Sequence, residues 1–129
     1  MVVDASTVLE LLLLTPVASE IEKRVFAEEE TLHAPHLIDL EVAQVLGRYC
    51  ASGELDAERG EQALTDLADL PLTRYPHDLF LPRIWELMRH VTAYDAAYLA
   101  LAEALPAPLL TLDARLAALA GLEARVECL

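Results

Sequence analysis

Positive charge is what this sequence has least of. Against 22 Asp and Glu stand nine Lys and Arg, eight of them Arg, for a formal net charge of −13 in 129 residues. Nonspecific nucleic-acid binding rests on Lys and Arg neutralising phosphates, so this balance excludes a coat protein that holds DNA or RNA by charge alone. It fits a site that gathers divalent cations, or a surface that pairs with a basic partner; a solvated acidic surface that aids solubility accounts for most of the charges. Aromatics are scarce as well, at 5% of residues, which leaves few rings to stack unpaired bases. The two cysteines, Cys50 and Cys128, have neither CxxC spacing nor a nearby His at ligand distance, so a zinc site and a disulfide framework are both excluded. No apolar run is long enough to span a bilayer: Val8–Leu14 is too short and contains Glu10. The first residues lack a basic stretch, and Asp4 stands where a secretory signal would be apolar. With no Gly/Ser or Pro tract and no internal repeat, the expectation is a single domain over residues 1–129, cytoplasmic and away from the membrane.

What is present is apolar residue, 55% of the chain with a mean hydropathy of +0.33, enough for a core of mostly Leu, Ala and Val. Short β-like segments alternate with helical ones. Strands are expected at Met1–Val3, Thr31–Ala34, Pro71–Tyr75, Leu109–Leu112 and Ala124–Cys128. Helices are expected at Thr7–Leu14, Pro16–Glu29, Ile38–Ala51, Ala57–Leu70, Leu79–His90, Ala93–Leu105 and Ala114–Leu119. In Ala57–Leu70, Leu64, Leu67 and Leu70 read as one side. Strands alternating with helices imply an α/β fold, a mostly parallel sheet between helical layers. Ligands of such sheets bind beyond the carboxyl ends of the strands.

That edge is where acids fall. Asp4 and Asp113 each follow a strand directly. Glu41 sits on the apolar stripe formed by Ile38, Val42 and Val45, a costly place without a partner. Asp95 lies in the first turn of an Ala/Leu-rich helix that Thr92 opens. Each acid also has a purely structural reading. Asp113 is a good N-cap, Asp95 with Thr92 resembles a capping box, and Glu41 has Arg48 farther along its helix as a partner. Asp4 has the fewest structural duties to explain it. Four like charges converging on one pocket repel unless a cation lies between them, and oxygen-only ligands suit Mg²⁺ or Mn²⁺.

Four segments carry a resemblance: Val2-Val3-Asp4-Ala5-Ser6, Leu40-Glu41-Val42, Thr92-Ala93-Tyr94-Asp95-Ala96-Ala97-Tyr98-Leu99-Ala100 and Leu110-Thr111-Leu112-Asp113-Ala114-Arg115-Leu116. In order and spacing they resemble the signatures of PIN domains, closest to the VapC ribonuclease toxins of type II toxin–antitoxin systems. The resemblance implies a three-layer α/β/α PIN-like domain. It implies a metal-dependent endoribonuclease that hydrolyses phosphodiester bonds in structured RNA of the tRNA or rRNA class. Asp4, Glu41, Asp95 and Asp113 would bind Mg²⁺, or Mn²⁺ in its place, with Ser6, Thr92 and Thr111 in support. A homodimer and a VapB-type antitoxin are the implied protein partners, and the leucine-rich stretch Glu54–Leu70 is a candidate surface for either, or ordinary core. Arg48, Arg83, Arg89 and Arg115 are the candidate phosphate contacts, Arg115 foremost because it follows Asp113. His33 and His36, on either side of Pro35, read as loop or core-edge residues. A receiver domain would need a late Lys, and the only lysine is Lys23; a haloacid-dehalogenase-like phosphatase would need an Asp where Ser6 stands. The remaining rival is a catalytically silent PIN-like module that only binds a partner.

Overall fold

Strands covered on both faces must be apolar along their length rather than at alternate positions; Val2–Val3 and Leu109–Leu110 are runs of that kind, whereas the edge strands carry Arg74 and Glu127. A computed structural model describes residues 1–119 and 121–129. It places β1 at Val2–Val3, β2 at Leu32–Pro35, β3 at Leu72–Tyr75, β4 at Leu109–Thr111 and β5 at Val126–Cys128. Every pairing is parallel, in the order β3-β2-β1-β4-β5, with Val2 opposite both His33 and Leu109. All five carboxyl ends therefore lie on one edge.

The helices are α1 (Ala5–Leu13), α2 (Ala18–Val25), α3 (Leu37–Ala51), α4 (Ala57–Asp69), α5 (Leu81–Leu87), α6 (Ala93–Ala104) and α7 (Ala114–Ala117). Right-handed crossovers between parallel strands lay α1–α4 over one face of the sheet and α5–α7 over the other. Contacts agree: α1 packs on α2, α3 and α4, while α5 packs on α6. The centre of the second layer is α6, where Ala96 to Ala102 is a continuous buried run. Four alanines in that run let the helix lie close to the sheet, and Leu99 and Leu101 fill what remains beside Val2, Val3, Leu109 and Leu110. No helix among the described residues is long and apolar enough to cross a membrane.

Three sequence expectations are corrected. The helix expected over Pro16–Glu29 is shorter, Ala18–Val25. Glu28, Glu29 and Glu30 would have put three acids at its negative end, and Glu29 instead turns to a positive φ of 68°. The helix expected over Leu79–His90 is divided into a 3₁₀ turn, Asp78–Phe80, and α5. Pro82 is tolerated only in a first turn, so α5 has to begin there. On α4 the buried side is Gly60, Ala63 and Leu67, whereas Leu64 is turned outward and 40% exposed.

Gly60 packs so closely that a Cβ there would stand 2.8 Å from the Cys50 Sγ of α3. In an unobstructed helix interior Gly→Ala stabilises by about 0.8–1 kcal/mol. Urea unfolding of Gly60→Ala in the Cys50→Ala background should return a gain of about that size. With Cys50 in place the gain should be erased or reversed, because overpacking costs about 1–3 kcal/mol. Equal effects in both backgrounds would show that the thiol moves aside freely.

Candidate functional site

Asp4 leaves β1 and starts α1, and both its oxygens are occupied. Oδ1 accepts from the Thr7 backbone N–H (3.1 Å) as the N-cap, and from the Ser6 hydroxyl (2.6 Å). Oδ2 accepts from the buried Thr111 hydroxyl. Ser6 Oγ in turn accepts from Leu112 N–H (3.1 Å), and Thr111 Oγ1 accepts from Asp113 N–H (3.0 Å). Two hydroxyls thus relay hydrogen bonds from the chain after β4 to the one carboxylate after β1. The sequence expectation that Asp4 has few structural duties is corrected: it caps a helix and ties two strand ends together while only 8% exposed.

The other acids arrive from different elements. Asp113 caps α7, its Oδ1 accepting from Arg115 N–H (2.9 Å), and it is gripped by the Arg115 guanidinium at 2.6 and 3.1 Å. That hydrogen-bonded ion pair holds the Asp113 carboxyl below the usual carboxylate range. Asp95 is half-buried in the first turn of α6, where Thr92 Oγ1 accepts from its backbone N–H (3.2 Å). Burial raises its proton affinity, and the charges of Asp113 and Asp4 raise it further. Glu41, half-buried on α3, is also raised by burial and by Asp95 and Asp4. Its partner is the Tyr98 hydroxyl, which donates to Oε1 at 2.6 Å. Arg48 does not take that role: it forms no ion pair among the described residues.

The four acids named from sequence therefore lie in one another's field at the carboxyl edge of the sheet, contributed by both layers. Among the described residues, no three His, Cys, Asp or Glu side chains stand close enough together to grip one ion as they are arranged. The donor set itself is all oxygen, with charges that burial and mutual repulsion leave undercompensated, and this chemistry fits a hard divalent cation.

Two clefts flank the acids. One, about 470 Å³, is lined by Arg89, His90, Thr92, Asp95 and Arg115. The other, about 760 Å³, is lined by Ser6, Leu40, Glu41, Arg48, Tyr49 and Tyr94. Arg48 and Arg89, one in each, are exposed and lack a carboxylate partner among the described residues. Arg83 is different: Glu103 and Glu86 bind it. Glu103 is eight residues beyond Asp95 on α6, about 12 Å along the axis, which removes Arg83 from the phosphate contacts expected. His33 bonds Thr31 and Tyr75 within the sheet (2.7 Å each), and His36 begins α3; neither reaches the acids. Sequence reasoning missed Tyr98. A tyrosine on a buried alanine helix signals a need for a polar partner, but nothing local identifies Glu41, 57 residues away.

Residues 1–122 match the PIN domain family. The chain is 44% identical over 130 residues to ribonuclease VapC1 of Mycobacterium tuberculosis, covering 98% of this chain and 95% of that one. It is 44% identical over 115 residues to the VapC ribonuclease Mb0985 of Mycobacterium bovis, covering 89% and 87%. Among solved structures, PAE2754 of Pyrobaculum aerophilum superposes with a TM-score of 0.69 at 27% identity, over 97% of this chain and 81% of that one. VapC20 of Mycobacterium tuberculosis, a sarcin–ricin loop cleaving toxin, shares the fold with a TM-score of 0.69 at 19% identity, over 94% and 95%.

The acids pull stability in opposite directions. Asp113, with its lowered folded pKa, stabilises above the ordinary carboxylate range, and this is lost as pH falls through the lowered value. Asp95 and Glu41, raised, oppose folding once ionised and cease to do so as pH falls to their unfolded values. Asp95→Asn should therefore raise the melting temperature at pH 7 in EDTA by roughly 2–5 °C. The difference should fade toward about pH 4, where the carboxyl is protonated in the unfolded chain. A lower melting temperature at pH 7 would mean that the carboxylate is compensated within the fold.

Proposed function

Because this chain belongs to the PIN-domain family, and within it to the VapC ribonucleases of toxin–antitoxin systems, we propose that it is a metal-dependent endoribonuclease acting through Asp4, Glu41, Asp95 and Asp113. The observation that carries the reading is geometric: Asp4 and Asp113 follow two adjacent parallel strands, and Asp95 and Glu41 come to the same edge from helices of the two layers, joined there by the Tyr98 hydroxyl. Magnesium, with manganese able to replace it, is the cofactor these oxygens suit; bound there it lowers the pKa of water and neutralises charge on the reacting phosphate.

The chain's own residues do the rest. Asp4 is held by Ser6, Thr7 and Thr111, so its carboxylate needs little reordering to serve as a ligand. Thr92 fixes the first turn of α6 and with it Asp95. Arg115 is exposed, and its only carboxylate partner among the described residues is Asp113. It is the cation that exchanges that partner for an RNA phosphate, with Arg48 and Arg89 following the backbone on either side. Structured RNA is the substrate class, and water, not a side chain, is the nucleophile.

The chain works in the cytoplasm as a homodimer held inactive by a VapB-type antitoxin. The exposed Leu79, Leu81, Trp85 and Met88 supply apolar surface for such contacts. The excess of 13 negative charges favours a basic antitoxin segment.

Purified protein incubated with total RNA and Mg²⁺ or Mn²⁺ should yield discrete fragments, abolished by EDTA and reduced by about two orders of magnitude or more in Asp95→Asn. Arg115→Ala should cleave more slowly yet bind Mn²⁺ more tightly, since Asp113 is released from its ion pair. Intact RNA under every condition, with the antitoxin shown to be absent, would leave the chain a partner-binding PIN module without catalysis.

A further inference from the structure

One buried polar group beside the acids has no part in the function proposed above. Tyr98 is 2% exposed, and its hydroxyl makes a single hydrogen bond among the described residues, to Glu41 Oε1 at 2.6 Å. The phenol sits three residues beyond Asp95 on α6, whereas Glu41 belongs to α3 in the opposite layer. The bond therefore crosses from one helical layer to the other past the strand ends. It joins an acid of α3 to the helix that carries Asp95. Among the described residues Glu41 has no cationic partner, and its second oxygen, Oε2, accepts no hydrogen bond.

We propose that Tyr98 is a positioning residue of the metal site: it holds Glu41 by Oε1 and leaves Oε2 as the single oxygen that carboxylate offers to the ion. The inference rests on the metal-dependent reading above. A free glutamate has three rotatable side-chain bonds, and fixing them on metal binding costs conformational entropy. The hydroxyl removes that freedom beforehand, as outer partners of metal ligands commonly do. Mg²⁺ demands near-ideal octahedral geometry and keeps several waters, so a one-oxygen carboxylate ligand suits it better than one that swings between one-oxygen and two-oxygen attachment. Packing alone does not explain the residue, because a phenylalanine would fill the same space without bringing a hydroxyl that must be satisfied.

Tyr98→Phe keeps the ring and removes only the hydroxyl. Mn²⁺ titrations followed by thermal shift, and RNA cleavage rates against Mn²⁺ concentration, are to be compared for wild type, Tyr98→Phe, Glu41→Gln and the double variant. The expected result is that Tyr98→Phe needs about 10–100-fold more Mn²⁺ for both responses. Its cleavage should return close to the wild-type rate at saturating Mn²⁺, and its melting temperature in EDTA should lie close to wild type. The double variant should bind Mn²⁺ no more weakly than Glu41→Gln. In unmodified protein, near-UV tyrosine difference absorbance should follow the same Mn²⁺ midpoint, which serves as a readout independent of how the variant folds.

An unshifted midpoint in Tyr98→Phe, with Glu41→Gln shifted, overturns the positioning role while the metal site stands. A cleavage loss in Tyr98→Phe that Mn²⁺ does not restore overturns it too, as does a wild-type protein without the tyrosine signal. If Glu41→Gln leaves Mn²⁺ binding unchanged, Glu41 is no ligand, and the metal reading of that acid falls together with the inference.

Discussion

The Asp4 carboxylate is the group on which the rest of the site depends. A parallel sheet brings all its strand ends to one edge, but it does not by itself hold the loops beyond them in register. Asp4 does this by accepting from the Thr7 N–H, from Ser6 and from Thr111, while those two hydroxyls accept from the backbone after β4. The start of α1 and the chain leading to Asp113 are thereby set with respect to each other. A residue whose role as a ligand is proposed is also the mechanical joint of that edge, so its chemical and structural parts are not separable by mutation.

The same edge is where the fold works against itself. Asp95 and Glu41 are half-buried near other acids and have raised proton affinities, and among the described residues only one acid of the four, Asp113, has an arginine. The folding free energy that this arrangement costs must come from elsewhere. It comes from the continuous burial of Ala96 to Ala102 against the apolar sheet, and from ion pairs that hold three of the nine basic residues away from the site: Arg24 with Glu30 and Glu127, Arg74 with Asp39, Arg83 with Glu103. In a chain with so few cations, committing these to structure leaves few for any ligand, and Arg48 and Arg89, without a carboxylate partner among the described residues, line the clefts that hold Glu41 and Asp95.

Much of this was legible in the sequence, for a physical reason. An apolar run that ends in Asp, or a Thr that precedes Ala-rich helix, states both a local structure and a position on the sheet edge, and Asp4, Thr92 and Asp113 all proved to be helix caps. The parallel sheet followed from that alternation, and so did the placing of Asp4 and Asp113 after its strands. Helix ends were less legible, since Pro82 and the run Glu28–Glu30 act only against a particular neighbouring turn. On α4 only Leu67 of the expected leucine side is buried; Gly60 and Ala63 complete the buried face by close approach rather than by hydrophobic bulk, which leaves no mark in a leucine pattern. The link from Tyr98 to Glu41 was out of reach, for contacts between residues 57 apart in sequence leave no periodic trace.

The distribution of the arginines has a consequence for encounter rates. Arg48, Arg89 and Arg115 belong to the two clefts on either side of the acids, whereas the net charge of the whole is −13. For the RNA substrate proposed above, most approaches would therefore be repelled, and the field would favour those in which the strand arrives along the two clefts. Orientation would then be selected before contact, at the expense of collision frequency. Added salt, which weakens attraction and repulsion alike, would blur that filter and let misaligned encounters compete.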